Sequence, residues 1–328
     1  MRQLVISNKK VNLPQSWDEL SQEQYVYIAG LLWKYMAGEL DLIKLQIFAT
    51  LKILNMQVTP TKRDVISLSN YLAYLFEMFR MRISRIIRPV RKEDFIKFRQ
   101  AAREYYLYRP PREDLLTYNV IQISKELTFL SDSMLDIVFT RNPIPVIKPV
   151  GQGKRFDIGL IISTDITAGT YADLMDLVVA WENSKQELLL DYMVLLLYSN
   201  LTMKEAAQNK PILDKVKALD FDLKFAIYLW FVSITCYFAK HPVYHHLYIG
   251  KKSESEKVSI GASESIIRLS KSGYGNIEMI RSKSVVDFFD IQFAELQESI
   301  RSAVSSGIEI SKIAEKTGRT LSQIDQLS

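Results

Sequence analysis

The amino-acid sequence predicts a mainly α-helical, multi-helix protein with two helical domains, a short N-terminal strand and a proline-rich connector. Apolar residues recur at intervals of three and four over much of the chain, which is the spacing of one helix face. Segments that alternate apolar and polar residues are few. Of the 328 residues, 48% are hydrophobic and 24% are charged. These proportions are ordinary for a chain that buries a core, so we expect most of it to fold.

The N-terminal part of the chain begins with a strand and continues with helices. Residues Leu4 to Val11 alternate enough to predict a short strand, which Pro14 ends. Ser16, with Glu19 three residues later, is typical of a helix start in which the two side chains cap the backbone. Helical spacing then predicts helices through Tyr35 and over 41–55, 62–87 and 93–106.

A proline-rich connector follows. Three prolines between Phe139 and Pro149 leave no helical period, which predicts extended backbone. The sequence Gly151-Gln-Gly153 predicts a turn. Further helices are predicted over 173–181, 186–198, 204–219 and 223–239.

The C-terminal part is predicted to hold one long helix and a tail. Ser284, with Asp287 three residues later, indicates a helix start, and one apolar face continues to a predicted end at Gly307. Residues 306–328 are expected to be dispensable for folding, because they offer few apolar residues to bury. Those residues are Ile308, Ile310, Ile313 and Leu321.

The predicted elements divide the chain into five segments. They are an N-terminal helical domain with a basic segment (1–142), a second helical domain after the connector (143–250), a polar loop (251–260), C-terminal helices (261–307) and a helical-hairpin tail (308–328).

Cysteine content and hydropathy indicate a reducing compartment and no membrane. Cys236 is the one cysteine, so no intramolecular disulfide can form, which favours a location such as cytoplasm. The N-terminus has no apolar stretch typical of a secretory signal. The longest apolar run, Phe225 to Ala239, is shorter than the roughly 20 residues of a membrane span. It predicts a buried core helix, with membrane insertion as the alternative.

The candidate metal ligands are three histidines and the cysteine. His241 and His245 are four residues apart, but Pro242 breaks the helix that would align them. We expect the adjacent His245 and His246 to point apart, on a helix exit lined with surface histidines and tyrosines. The sequence therefore predicts no structural metal.

Motifs for phosphate binding or catalysis are incomplete or missing. Gly153-Lys154 lacks the other residues of a P-loop, and Gly273-Tyr274-Gly275 is predicted to be a turn between helices. No GxSxG, HExxH or CxxC pattern occurs. We therefore expect a protein that is not an enzyme and has no cofactor.

A basic segment is the candidate binding surface. The segment from Arg80 to Arg103 contains nine lysines or arginines and only two acidic residues, and tyrosines follow it directly. Arginine and tyrosine are typical of interface hot spots. The alternatives are a solvated helix face and a nucleic-acid contact. The predicted partner-binding residues are Arg80, Arg82, Arg85, Arg88, Arg91, Lys92, Arg99, Arg103, Tyr105, Tyr106 and Tyr108.

The tail has the spacing of a helix-turn-helix. Ala314 would allow two helices to cross closely, Gly318 would form the turn, and Ile324 lies six residues further on. The would-be recognition helix, Thr320 to Leu327, carries no Lys or Arg and includes an aspartate. A plain helical hairpin is therefore favoured over DNA binding.

Three segments also compare with a known group. They are Leu13–Tyr25 (LPQSWDELSQEQY), Asn142–Pro145 followed by Ile166–Tyr171, and the apolar helix near Phe231 with Gly275–Phe288. Together they resemble uncharacterised proteins of tailed bacteriophages and prophages of the Bacteroidetes type and, more distantly, phage tail-assembly chaperones. The chain departs from that group at Gly169-Thr170, where an acidic residue is usual, and in its histidine–tyrosine stretch.

The resemblance implies a non-enzymatic morphogenesis protein that acts through protein–protein contacts during virion assembly. Its partners would be other phage structural or tail-assembly proteins, and self-association is compatible with this role. It would work in the cytoplasm of the bacterial host or remain in the virion. The alternative is a nucleic-acid-binding protein that uses the basic segment at 80–103 and the helix-turn-helix-like tail.

Overall fold

The computed structural model describes residues 2–6, 9–14, 16–40, 45, 48–49, 52, 139–248 and 262–327. Within these residues the protein is mainly helical, as predicted, with eleven α-helices and three two-stranded antiparallel sheets. The chain divides into two compact units. The first contains Met1–Ile137 with Phe221–Ala226, and the second contains Val138–Asp220 with Ile227–Ser328.

The elements occur in the following order. The strands are β1 (Arg2–Ile6), β2 (Lys9–Leu13), β3 (Val146–Ile147), β4 (Gly151–Gln152), β5 (Phe156–Ile158) and β6 (Ile162–Thr164). The helices are α1 (Gln22–Met36), α2 (Ala168–Ser184), α3 (Glu187–Tyr198), α4 (Met203–Gln208), α5 (Lys210–Lys217), α6 (Phe221–Lys240), α7 (Ala262–Lys271), α8 (Ile277–Ser282), α9 (Val285–Ser305), α10 (Ile310–Thr317) and α11 (Leu321–Leu327).

The first unit begins with a hairpin instead of the single predicted strand, since β1 and β2 pair in antiparallel register from Arg2 opposite Leu13 to Ile6 opposite Lys9. The helix start predicted at Ser16 is also wrong. Ser16 precedes only a 3₁₀ turn, and its side chain makes no capping hydrogen bond. The helix begins after Ser21, whose hydroxyl accepts from the Gln24 amide at 3.2 Å while Gln24 Oε1 accepts from the Ser21 amide at 2.9 Å.

Helix α1 packs against the first turns of α6 in this unit. The ring of Trp33 lies 5.1 Å from that of Phe221 and 5.4 Å from that of Phe225. The buried Tyr25 hydroxyl donates to the Ala226 carbonyl at 2.5 Å. Aromatic packing with a satisfied hydroxyl therefore anchors α1.

The second unit opens with two short hairpins and then becomes helical. The predicted helix over 204–219 is two helices, α4 and α5, which meet at Asn209. Pro211 has no amide hydrogen to continue a helix from α4. Instead, the Asn209 side chain accepts from the Ile212 amide at 3.4 Å, which caps a new helix.

Helix α6 supplies an aromatic core to the second unit. Phe238 stacks on Phe289 at 4.2 Å and meets the rings of Phe156 and Tyr171 at 5.7 and 6.4 Å. Within the part of the chain that the structure describes, α6 is the one helix whose length and composition would suit a membrane span, and 61% of its most apolar window is buried in the fold. This burial agrees with the prediction of a core helix.

The predicted start of α9 is confirmed, because the Ser284 hydroxyl accepts from the Asp287 amide at 3.1 Å. The reason for expecting a dispensable tail is wrong. Helices α10 and α11 pack on α9 through a core cluster, while Ile308, Ile310 and Leu321 are exposed. The buried cluster contains Ile300, Ile313, Ala314, Ile324 and Leu327.

Candidate functional site

The predicted partner-binding residues, from Arg80 to Tyr108, lie outside the residues that the structure describes. The described part of the chain contains another candidate site. There, a cleft and an adjacent hairpin in the second unit form one continuous feature.

The cleft has a volume of about 560 Å³ and lies beside the C-terminus of α3. This volume suits a small molecule or a short peptide segment. Aliphatic residues form part of its wall, and two glycines, a tyrosine and lysine, aspartate, serine and amide side chains form the remainder. The lining residues are Val150, Gly151, Gln152, Gly153, Lys154, Asp165, Tyr198, Ser199, Asn200, Leu201 and Ile212.

Two glycines allow the β3–β4 hairpin to approach α3 closely. A Cβ added at Gly151 would overlap the Tyr198 carbonyl oxygen. One added at Gly153 would lie 2.5 Å from Asn142 Nδ2 and 2.7 Å from Tyr198 Cε1. The Lys154 amide then donates to the Leu197 carbonyl at 2.8 Å, which satisfies an acceptor near the helix end. The sequence predicted this stretch only as a turn.

Two polar side chains of the cleft, Tyr198 and Asp165, hold the local structure. The Tyr198 hydroxyl donates to the Ile144 carbonyl at 2.6 Å, and burial raises the pKa of this phenol well above its usual range. Asp165 Oδ1 accepts from the Arg155 amide at 2.5 Å. The cleft lining contains no histidine or cysteine.

The β5–β6 hairpin rises from the edge of the cleft. Phe156, at its base, is 1% exposed and meets Phe238 edge-on at 5.7 Å. The Ile158 amide donates to the Thr140 carbonyl at 2.7 Å. At the tip, the relative exposures of Leu160 and Ile161 are 108% and 85%. An anchored base thus presents two fully solvated aliphatic side chains.

We call this feature the hairpin–cleft surface, meaning the tip Leu160–Ile161 together with the cleft lining. Lys154 precedes β5 and Asp165 follows β6, so the two strands begin and end at the cleft. Sequence reasoning missed this surface, because apolar residues such as Leu160 and Ile161 suggest burial. The short Gly159-containing turn at the hairpin tip was the available signal.

The histidines lie differently from the prediction. His245 and His246 do not point apart, since their ring centroids are 3.9 Å apart in the 3₁₀ segment Tyr244–Tyr248. Tyr244 and His246 are buried under α9, so the expected all-surface lining is also wrong. The His241 ring stacks on Tyr244 at 4.5 Å. Among the described residues, no group of three or more His, Cys, Asp or Glu side chains is arranged to hold a metal ion.

The helix-turn-helix-like tail has the predicted turn. Gly318 has a left-handed backbone with φ of 68°, and Ala314 is buried where α10 and α11 meet α9. The exposed residues of α11 are Leu321, Ser322, Asp325 and Gln326. This helix therefore presents a neutral-to-acidic surface that offers no cation to a phosphate backbone.

Comparison of the chain with protein-family models, with curated proteins and with solved structures gives no match.

Proposed function

We propose that this chain is a non-enzymatic bacteriophage morphogenesis protein, a tail-assembly or virion component, whose hairpin–cleft surface docks another phage structural or tail-assembly protein. The observation that carries the proposal is the exposure of Leu160 and Ile161 on an anchored hairpin. The phage setting comes from the sequence resemblance of Leu13–Tyr25 and the other two segments.

The energetics favour a contact with a protein groove. Burying a leucine or isoleucine side chain contributes about 1.5–3 kcal/mol, so two such residues can supply the apolar centre of an interface. A rigid base lowers the entropy cost of docking, because the strands are ordered before the partner arrives. The polar rim of the cleft, with Lys154, Asp165 and Asn200, can then hydrogen-bond an extended segment of that partner.

The alternative, nucleic-acid binding, draws no support from the tail because α11 carries no basic residue. It continues to depend on the basic segment at 80–103. A salt titration of binding to duplex DNA separates the two functions, since phosphate contacts lose affinity steeply as salt rises. Salt-insensitive binding to an assembly protein is the result that the proposal expects.

The proposal is tested by co-expressing the tagged full chain with phage structural and tail-assembly proteins, followed by affinity capture. We expect the double variant Leu160→Ser, Ile161→Ser to retain at least about tenfold less partner, because loss of a hot spot of 1.4 kcal/mol or more has that effect. The matched control is Val179→Ser, Leu188→Ser, which changes two aliphatic residues of α2 and α3 that are 48% and 40% exposed.

Two outcomes would contradict the proposal. In one, the unchanged protein retains no virion or assembly protein. In the other, both double variants retain the partner as the unchanged protein does, so that the hairpin tip contributes nothing.

A further inference from the structure

A single arginine ties the C-terminal tail to the histidine stretch. Arg319 lies in the turn between α10 and α11, and its Nη2 donates to the His246 carbonyl at 2.7 Å. Its Nη1 donates to the Thr317 carbonyl of the same turn at 3.3 Å. The guanidinium therefore links the tail to the 3₁₀ segment Tyr244–Tyr248.

One nitrogen of the imidazole beside this link is buried without a hydrogen bond. His246 is 6% exposed, and neither its Nδ1 nor Arg319 Nε has a hydrogen-bond partner within the described residues. A neutral imidazole tolerates this position at modest cost. A protonated imidazole would bury both a charge and an N–H group with no acceptor, which is far more costly.

The groups around His246 come from its own segment, from the tail and from α9. On its own segment the His245 ring lies 3.9 Å away, and from the tail comes the Arg319 guanidinium. From α9 comes the uncharged ring of Phe293, at 6.1 Å. Asp290, also on α9, accepts from the Tyr244 hydroxyl at 2.6 Å and faces that side of the segment.

No carboxylate therefore offsets the surrounding positive charge at His246 within the described residues. Burial first, and then His245 and Arg319, lower the pKa of His246 below 6.5.

We propose that His246 and Arg319 form an acid-sensitive latch, which holds the C-terminal hairpin α10–α11 at neutral pH and releases it when His246 takes up a proton. This inference concerns regulation of the tail and is independent of docking at the hairpin–cleft surface.

The direction of the pH effect follows from the lowered pKa. At pH 7.5 the imidazole is mostly neutral in both the docked and the released tail, so it contributes little pH dependence there. Below pH 6.5 the released state takes up the proton more readily, and docking weakens until the pH reaches the folded-state pKa. At pH 5.5 the loss is at most about tenfold, because this pH is one unit below the ordinary imidazole pKa and one pH unit is a factor of ten in protonation.

Hydrogen exchange of the full chain at pH 7.5 and pH 5.5, corrected for intrinsic rates, tests the latch. We expect amides of α10 and α11 to lose up to about tenfold of their protection at pH 5.5, and the variant His246→Gln to lose none. The control His245→Gln keeps the ionisable His246 and should keep a pH-dependent loss. An equal loss in the unchanged protein and in His246→Gln, or no loss in the unchanged protein, would overturn the latch.

A measurement on the unchanged protein covers the case in which His246→Gln does not fold. The chain has three histidines, so an NMR titration shows three imidazole signals. His241→Gln and His245→Gln identify two of them and leave His246. We expect the His246 signal to titrate below pH 6.5, and a midpoint at or above 6.5 would refute the proposal.

Discussion

At the scale of single residues, the candidate surface depends on positions where side-chain size is decisive. Gly151 and Gly153 let a loop touch the end of α3, while Leu160 and Ile161 place apolar atoms in water at the hairpin tip. The sequence predicted the turn at the glycines, because two glycines close together in the chain are a turn signal that needs no knowledge of distant residues. It could not show that Leu160 and Ile161 are exposed, because burial is decided by which distant residues cover a side chain.

We expect Gly153→Ala to lower the free energy of unfolding by about 1–3 kcal/mol, because the new methyl group would press on Asn142 and the Tyr198 ring. The matched control is Gly159→Ala in the hairpin turn, where the nearest atom to an added Cβ is a carbonyl oxygen at 3.7 Å. Urea denaturation of both variants measures the difference. Equal midpoints for the two variants would show that Gly153 has no packing role.

At the scale of elements, local sequence signals predicted one helix start correctly, misplaced another and missed a break between two helices. The Ser284–Asp287 pair predicted the start of α9 correctly, because capping involves residues three apart in sequence. The same pattern at Ser16 failed, since Ser21 and Gln24 cap the helix in its place. The break at Asn209 was also missed, although Pro211 indicated it. The packing of the tail on α9 could not be predicted from local sequence, because it is a contact between separate helices.

The tail should contribute to stability, contrary to the sequence-based expectation. Ile324 is fully buried against α9, so Ile324→Ala should lower the free energy of unfolding by about 2–5 kcal/mol. Leu321→Ala, on the same helix but 57% exposed, should change it by no more than about 0.5 kcal/mol. Thermal unfolding followed by circular dichroism compares the two. An Ile324→Ala protein with an unchanged free energy of unfolding would support the expectation that residues 306–328 are dispensable for folding.

At the scale of the whole molecule, helical spacing was enough to predict the fold class, because every amphipathic helix repeats the same signal. Each of the two compact units is a set of segments that contact one another, and α6 contributes residues to both units. That arrangement joins residues far apart in sequence, such as Tyr25 and Ala226, which are 201 positions apart, so no local pattern reveals it. The basic segment and the hairpin–cleft surface remain two separate hypotheses for where partners bind.

Photo-crosslinking in cells can test the proposal that the hairpin tip docks a phage assembly protein. The most direct measurement replaces Leu160 with a photo-crosslinking amino acid in the full chain, expressed in host cells that are producing phage, and identifies the covalent adducts by mass spectrometry. Leu188, a partly exposed leucine at the start of α3, is the control position. We expect an adduct with a structural or tail-assembly protein from position 160 and none from position 188. Identical adducts from both positions, or no phage assembly protein joined at position 160, would contradict it.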